Sequence, residues 1–347
     1  MDQGGGRRWR CLTRCQRGAR GLSYPTDNVC EVIDLLELAP SVGADGILTV
    51  LPAKLDCLVD VPHPFPYQGS KRALAHAILR YLPDDTATLV EPFAGSAAIS
   101  IAARYANVAD RAVINDVNAP LMAMWRAIID QPVELADQYE AMWQDSLEDP
   151  KAFFLAKRSE FNETNDPALL LYLLNRIVKG AVRYGKTGLF NQSADNRRLG
   201  AKPATVRERL VRTSKVMQGT DVHSGSYAPL LIDAGASDVV YMDPPYQGVT
   251  NVRDHRYMSG LAREDFEQAL HKANDNNVSY VISYDVVRED NKYGEPIDSE
   301  LGLTHLHVIA GRSAQSTLSG GSDVTVESLY LSPALVDRLG GIDHLIA

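Results

Sequence analysis

The chain has 347 residues, 45% hydrophobic and 23% charged, with a formal net charge of −9. These are ordinary proportions for a globular protein, and the length allows one large or two ordinary domains. No apolar run approaches the ~20 residues of a transmembrane helix, and the acidic balance argues against wholesale coating of nucleic acid unless basic residues cluster.

Residues 1–22 hold Arg7, Arg8, Arg10, Arg14, Arg17 and Arg20 against one acid, Asp2. The segment lacks the apolar core of a secretory signal. Disorder, a nucleic-acid-binding arm and a stretch upstream of the true start all remain open. All four cysteines, Cys11, Cys15, Cys30 and Cys57, lie in the first sixth of the chain, without the paired spacing of structural zinc sites. The rest of the chain carries no cysteine, which fits a reducing cytoplasm and a fold without disulfides. Residues 29–60, broken by Pro40, Gly43, Gly46 and Pro52, read as a small appended unit. Residues 1–60 are therefore set apart as an N-terminal extension of unknown role.

Order is expected from Phe65-Pro66-Tyr67-Gln68-Gly69-Ser70-Lys71-Arg72, a tight turn leading into a helix over 73–82 with apolar positions 74, 77, 78 and 81. Thr88 to Val90 is a buried-strand candidate. It is followed by Glu91-Pro92-Phe93-Ala94-Gly95-Ser96-Ala97 and a small-residue helix over 98–105. Strand, glycine turn and helix describe the first half of a Rossmann-like unit. A second strand, 111–115, ends at Asp116, 21 residues beyond Gly95. That is the usual distance to an acid that binds a ribose hydroxyl pair. Asn118 can cap a helix through Leu121, Met122, Trp125 and Ile128.

Between 131 and 225 the strand–helix alternation stops. Acidic helical segments and a leucine-rich stretch, 168–178, precede a basic loop, Lys179-Gly180-Ala181-Val182-Arg183-Tyr184-Gly185-Lys186-Thr187-Gly188-Leu189-Phe190-Asn191. Residues 176–215 carry eleven Lys and Arg against two acids, Asp195 and Glu208, a local balance of +9. A charge run is commonly a solvated face. This one coincides with a break in fold pattern, with glycines, and with Asn and Gln able to reach base edges, which favours DNA contact.

The alternation resumes with the apolar run 239–242, a helix over 263–274 and a strand over 278–283. Strands over 304–309 and 324–331 suggest an antiparallel finish. A Ser/Gly-rich loop, 311–322, with Arg312 lies between them. The run 239–242 stops at Asp243-Pro244-Pro245-Tyr246, where two prolines forbid continuation of strand or helix. A carboxylate is thereby placed at a strand's carboxyl end with an aromatic beside it, a pocket suited to a flat hydrogen-bonding group. The bland alternative is a strand end with a surface turn. His255, His271, His305 and His307 are scattered and read as structural or solvated; no metal is expected.

The blocks Tyr67-Gln68-Gly69-Ser70-Lys71, Glu91 to Ala97, Asp116 and Asp243-Pro244-Pro245-Tyr246, in this order, resemble the D12-class, or Dam-like, adenine-specific DNA methyltransferases over residues 64–332. The resemblance implies an α/β fold. Its parts are a Rossmann-like S-adenosylmethionine-dependent methyltransferase sheet over 61–130 and 226–347 and an inserted, mainly helical target-recognition domain over 131–225. It implies that Tyr67, Lys71, Phe93, Gly95, Asp116 and Asp243 line an S-adenosylmethionine site. Asp243, Pro244 and Tyr246 would be catalytic. Leu174-Asn175-Arg176, Gly180, Gly188 and Phe190 resemble the recognition-domain hairpin, with Arg183, Lys186 and Asn191 on the DNA. The chain departs from the family pattern at Ala97, where glycine is usual, at Lys179, and after Asn191, where no proline follows.

The implied reaction is site-specific N6-methylation of a flipped-out adenine in duplex DNA, in the cytoplasm. Double-stranded DNA is the expected partner, no membrane is involved, and a cognate restriction endonuclease remains open. Rival readings are an RNA or protein-amide N-methyltransferase on the same fold, and a DNA-binding regulator that has lost transfer.

Overall fold

The computed structural model describes residues 41–42, 48–50, 55–185, 187–245, 261–284, 287–288, 291–292, 297–312, 324–342 and 345. Two short strands, β1 (Ser41–Val42) and β2 (Leu48–Val50), precede the main frame. Its central strands form where short apolar runs were expected: β3 (Thr88–Glu91) and β4 (Arg111–Asp116), followed by β5 (Asp221–Ser224), β6 (Asp238–Met242) and β7 (Tyr280–Ser283). A two-stranded ribbon, β8 (Val287–Arg288) with β9 (Asn291–Lys292), stands apart, and β10 (Thr304–Arg312) and β11 (Val324–Leu331) complete the sheet.

The strand order is β1-β2-β10-β11-β7-β6-β3-β4-β5. Strands β7, β6, β3, β4 and β5 are mutually parallel, whereas β11 runs antiparallel to both β7 and β10, as expected for the finish. Seven strands, β10 to β5, make a mostly parallel, Rossmann-like sheet; β1 and β2 extend its edge. Parallel strands need cover on both faces. Leu89, Val239, Tyr241 and Val281 pack into one core, and Val90, Val240, Met242 and Ile282 into another.

The first core is closed by α1 (Ala75–Ile78), α2 (Ala98–Tyr105) and, later in the chain, by Leu335, Val336 and Leu339. The helix expected over 73–82 is thus a single α-turn, flanked by 3-10 turns at Lys71–Leu74 and Leu79–Tyr81. Helix α3 (Ala119–Asp130) starts where Asn118 Oδ1 accepts from Leu121 N at 3.2 Å, the cap foreseen from sequence.

Between β4 and β5 the chain is helical: α4 (Pro132–Asp145), α5 (Pro150–Thr164), α6 (Pro167–Arg176) and α7 (Pro203–Met217). Each begins on a proline, whose missing N–H and fixed φ suit the first helical position. Asp149 and Asp166 cap α5 and α6 by accepting from two backbone N–H groups each. This insertion shares one continuous core with Phe65, Ile101 and Ile114 of the sheet layer. Within the stretch 131–225, Asp221–Ser224 pairs with Val113–Asp116 of the sheet. That strand is largely exposed, so its sequence offers no apolar run to read.

The remaining helices are α8 (Ala228–Ile232), α9 (Arg263–Asp275) and α10 (Pro333–Arg338). Leu231, Phe266 and Leu270 from α8 and α9 close the second core. Cys57, in the N-terminal segment set apart above, is disulfide-bonded. Among the described residues no helix is long and apolar enough to cross a membrane.

Candidate active site

Strand β3 lies between β4 and β6, so the turns that leave these three strands adjoin one another, where open α/β sheets bind ligands. After β3 the chain turns sharply at Gly95, with φ +48°, and Ala97, with φ +46°. Ala97 therefore holds the left-handed conformation that a glycine would adopt more easily, at a cost of about 1–2 kcal/mol. It is fully buried and serves as the N-cap position of α2. Trp125 Nε1 donates to the Gly95 carbonyl at 2.9 Å, pinning the turn to α3.

The ring of Tyr67 lies against Gly95. A methyl group built there would stand 2.9 Å from Tyr67 Cε1, so a larger residue would push the ring aside. Asp116, at the end of β4, accepts from Gly95 N at 3.1 Å and from Asn118 N at 2.9 Å. Burial holds its carboxyl above the ordinary range, against the pull of those two N–H donors. Asn115 Nδ2 donates to the carbonyls of Pro92 at 2.9 Å and Gly225 at 3.1 Å, tying the turn after β3 to the one after β5. A carboxylate offers about four acceptor sites, so the two N–H bonds to Asp116 leave capacity for a ribose hydroxyl pair. On that observation Tyr67, Gly95 and Asp116 fit a nucleoside cofactor.

Phe93 takes a different place from its neighbours in the turn. Its ring stacks on Tyr227 at 5.0 Å and meets Phe266 edge-on at 6.3 Å, so it belongs to an aromatic wall shared with α9. Tyr227 is half-buried and leaves the loop after β5.

Asp243 follows β6, with Pro244 buried behind it. Lys71 Nζ stands 3.6 Å from Asp243 Oδ1 and 3.1 Å from Glu327 Oε2 on β11. Lys71, expected in the cofactor site, is therefore brought to Asp243 across a separation of 172 residues in sequence. Glu91 ends β3 inside the core, accepting from Ser100 N at 3.0 Å and Ser100 Oγ at 2.5 Å. Burial pushes its carboxyl up to about 8; the Ser100 bonds oppose this, and the Asp243 charge adds to it. Sequence reasoning gave no role to Glu91 or Glu327. One signal was available for Glu327: it is the only charge in the strand Val324–Leu331. Tyr246, Lys186 and His255 lie outside the described residues.

The basic loop folds as a hairpin. Gly185 N donates to Leu189 O at 2.7 Å and Asn191 N to Arg183 O at 3.3 Å, and Tyr184 bridges Phe190. Alternation along the two arms buries Tyr184 and Phe190 and exposes Arg183 and Asn191, which puts both expected DNA residues on one open face. Phe190 packs edge-on against Phe161 and Tyr184. Leu174 and Arg176 are buried, and Arg176 donates to the carbonyls of Arg198 and Pro150, so both hold the scaffold. Arg207 pairs with Asp137 and Glu140, and Arg212 with Asp60 and Glu208. Part of the local charge excess is thus spent within the protein.

The hairpin also touches the segments that carry Tyr67 and Asp116. Gln68 N donates to Gly180 O at 3.2 Å, and Tyr184 Oη donates to Asn118 Oδ1 at 3.1 Å. Of the histidines, His271 lies 3.7 Å from Asp298 and His305 stacks on Tyr330 at 4.2 Å. Among the described residues no group of three His, Cys, Asp or Glu gathers to hold a metal ion.

A family model described as D12 class N6 adenine-specific DNA methyltransferase matches residues 67–314. The chain belongs to this family. It is 27% identical to the DNA N-6-adenine-methyltransferase of Escherichia phage P1 over 201 residues, 56% of this chain and 25% of the phage protein. It is likewise 27% identical over 184 residues, 52% of its length, to the DNA adenine methylases of Serratia marcescens and Escherichia coli K12, covering 65% and 63% of those proteins. The chain thus spans between a quarter and two thirds of the curated relatives it matches.

Proposed function

We propose that this D12-class chain is a site-specific DNA adenine N6-methyltransferase that uses S-adenosylmethionine and acts on duplex DNA in the cytoplasm. The observation that carries this reading is the convergence of Asp243, Lys71, Tyr67, Gly95 and Asp116 at adjoining strand ends. S-adenosylmethionine, when bound, supplies an electrophilic methyl on a sulfonium.

This chain's own residues do the rest. Asp116 accepts from ribose hydroxyls, and Tyr67 and Gly95 shape the adjoining wall. The exocyclic amine of adenine is a weak nucleophile because its lone pair is delocalised into the ring. Asp243 and the Pro244 carbonyl accept its two N–H hydrogens, hold the nitrogen closer to tetrahedral, and stabilise the positive charge that develops on it. Holding amine and methyl in line supplies much of the remaining acceleration, and the charge is discharged when the methylated nitrogen releases one of its two N–H protons, by way of the Asp243 side to solvent. Tyr246, two residues beyond Pro244, would stack on the base, which must leave the duplex to reach this site. The helical insertion between β4 and β5 reads the duplex, with Arg183, Lys186 and Asn191 on phosphates or bases.

The deciding experiment is transfer of labelled methyl groups from S-adenosylmethionine to unmodified genomic DNA. Asp243→Ala should abolish transfer and leave DNA affinity largely intact. Transfer by that variant at the parent rate overturns the mechanism.

A further inference from the structure

Two serine hydroxyls meet beside the proposed cofactor site. Ser96, in the turn after β3, donates its hydroxyl to Ser70 Oγ at 2.9 Å, across 26 residues of chain. Ser96 is buried, whereas Ser70 is half-buried on the segment before α1. Ser70 precedes the 3-10 turn Lys71–Leu74, a position from which serine ordinarily caps the first N–H groups. Its side chain bonds none of the described N–H groups of that turn and meets Ser96 instead. A hydroxyl has one proton to donate and two sites at which to accept. Because Ser70 Oγ accepts from Ser96, its own proton is turned away from that buried partner, and a hydroxyl that accepts one bond donates the next more strongly.

Placement indicates what would take that proton. Gly95, next to Ser96, donates its N–H to Asp116 at 3.1 Å. Lys71, next to Ser70, has its ammonium 3.6 Å from Asp243. The hydroxyl pair thus lies between the acid assigned to the ribose and the acid assigned to the target amine. The sulfur of S-adenosylmethionine belongs in the same interval, since it joins the ribose to the methyl. Its third arm ends in an amino-acid carboxylate, which needs hydrogen-bond donors wherever it leaves water. A hydroxyl can meet a carboxylate with a short, charge-assisted bond. We propose that Ser70, fixed by Ser96, is a cofactor-binding residue that donates to the carboxylate of the amino-acid tail. This rests on the S-adenosylmethionine reading above.

The bland alternative is a tie between two turns with no ligand on it. Isothermal titration of the full chain separates the readings with two ligands: S-adenosylhomocysteine, and its analogue in which hydrogen replaces the carboxylate. Ser70→Ala should weaken S-adenosylhomocysteine binding about tenfold or more, the worth of one hydrogen bond to a charged group. The same change should leave the decarboxylated analogue within about twofold of the parent. Ser70→Thr, which keeps the hydroxyl, should hold both affinities near the parent values. An unchanged S-adenosylhomocysteine affinity in Ser70→Ala overturns the proposal. So does an equal loss for both ligands, the result expected of a tie that only shapes the turns. If Ser70→Ala does not fold, Ser96→Ala takes its place. Loosening Ser70 in that way should weaken S-adenosylhomocysteine about threefold and spare the analogue; a loss that is absent, or shared by both ligands, overturns the proposal. A parent chain that binds neither S-adenosylmethionine nor S-adenosylhomocysteine brings down the cofactor reading itself, whereas binding by the parent with a silent Ser70→Ala brings down only the role of Ser70.

Discussion

Gly180 lies so close to Pro66 that a methyl group on its Cα would stand 2.3 Å from the Pro66 carbonyl oxygen. Its φ of +60° also places it where only glycine rests without strain. The hairpin that carries Arg183 is thereby seated on the segment that carries Tyr67. Gly180→Ala is expected to destabilise the protein by about 1–3 kcal/mol through backbone strain, with the steric clash adding to this. It should also weaken DNA and cofactor binding together. Denaturant unfolding with both titrations checks this; a loss confined to DNA binding would show that the two segments are not linked.

Gly95→Ala meets the Tyr67 side chain instead of backbone, so the ring can move aside. Stability should fall by about 1–2 kcal/mol, from the strain of a left-handed alanine. The displaced ring should cost about tenfold in S-adenosylmethionine affinity, equivalent to about 1.4 kcal/mol. Isothermal titration reads the affinity directly.

Tyr184→Phe removes only the hydroxyl that donates to Asn118. The loss should be about 1 kcal/mol, the usual net worth of one buried hydrogen bond. Because Asn118 N donates to Asp116, S-adenosylmethionine affinity should fall by a few-fold as well. Replacing Tyr184 and Asn118 together should cost less than the two single losses added.

Stability should depend on pH with a definite sign. Glu91 rises from 4.5 to about 8 in the fold, so between those values the folded chain holds a proton the unfolded chain has lost. Its stabilising contribution is complete below pH 4.5 and lost as pH climbs through 8, at up to about 1.4 kcal/mol per pH unit. Asp116, also raised, acts in the same sense. His63 falls from 6.5 to about 4, through burial and then the Arg72 and Arg209 charges, and so opposes them between pH 4 and 6.5. Above 6.5 the His63 contribution is constant. Denaturation midpoints should therefore decline from pH 6.5 to 8, and Glu91→Gln should flatten that decline.

Arg183 is exposed on the open face of the hairpin. Arg183→Ala should weaken DNA binding and, if the contact is to phosphate, reduce the slope of log affinity against log salt by about one. Affinity measured from about 50 to 200 mM salt tests it. An unchanged slope with altered sequence preference would assign Arg183 to a base edge instead.

Local chemistry along the chain determined much of this protein. Short apolar runs marked β3, β6 and β7, because strands covered on both faces need apolar side chains on both. Asn118 announced the start of α3 through its capping side chain, and the prolines after Asp243 stopped β6 where a ligand can sit. The order of Tyr67, Gly95, Asp116 and Asp243 pointed to the family. Tertiary structure alone decided what depends on distant partners. Exposed β5 became a strand only because β4 offered it an edge. Phe93 went to an aromatic wall with Tyr227 and Phe266, which sequence could not place beside it. Arg207 and Arg212, counted as free charge, found carboxylates on other segments. Glu327 met Lys71 across 256 residues because β11 turns back beside β7. Helix caps and strand runs follow from neighbours a few residues away and can be read directly, whereas ion pairs and ring contacts between remote segments exist only after the sheet has brought them together.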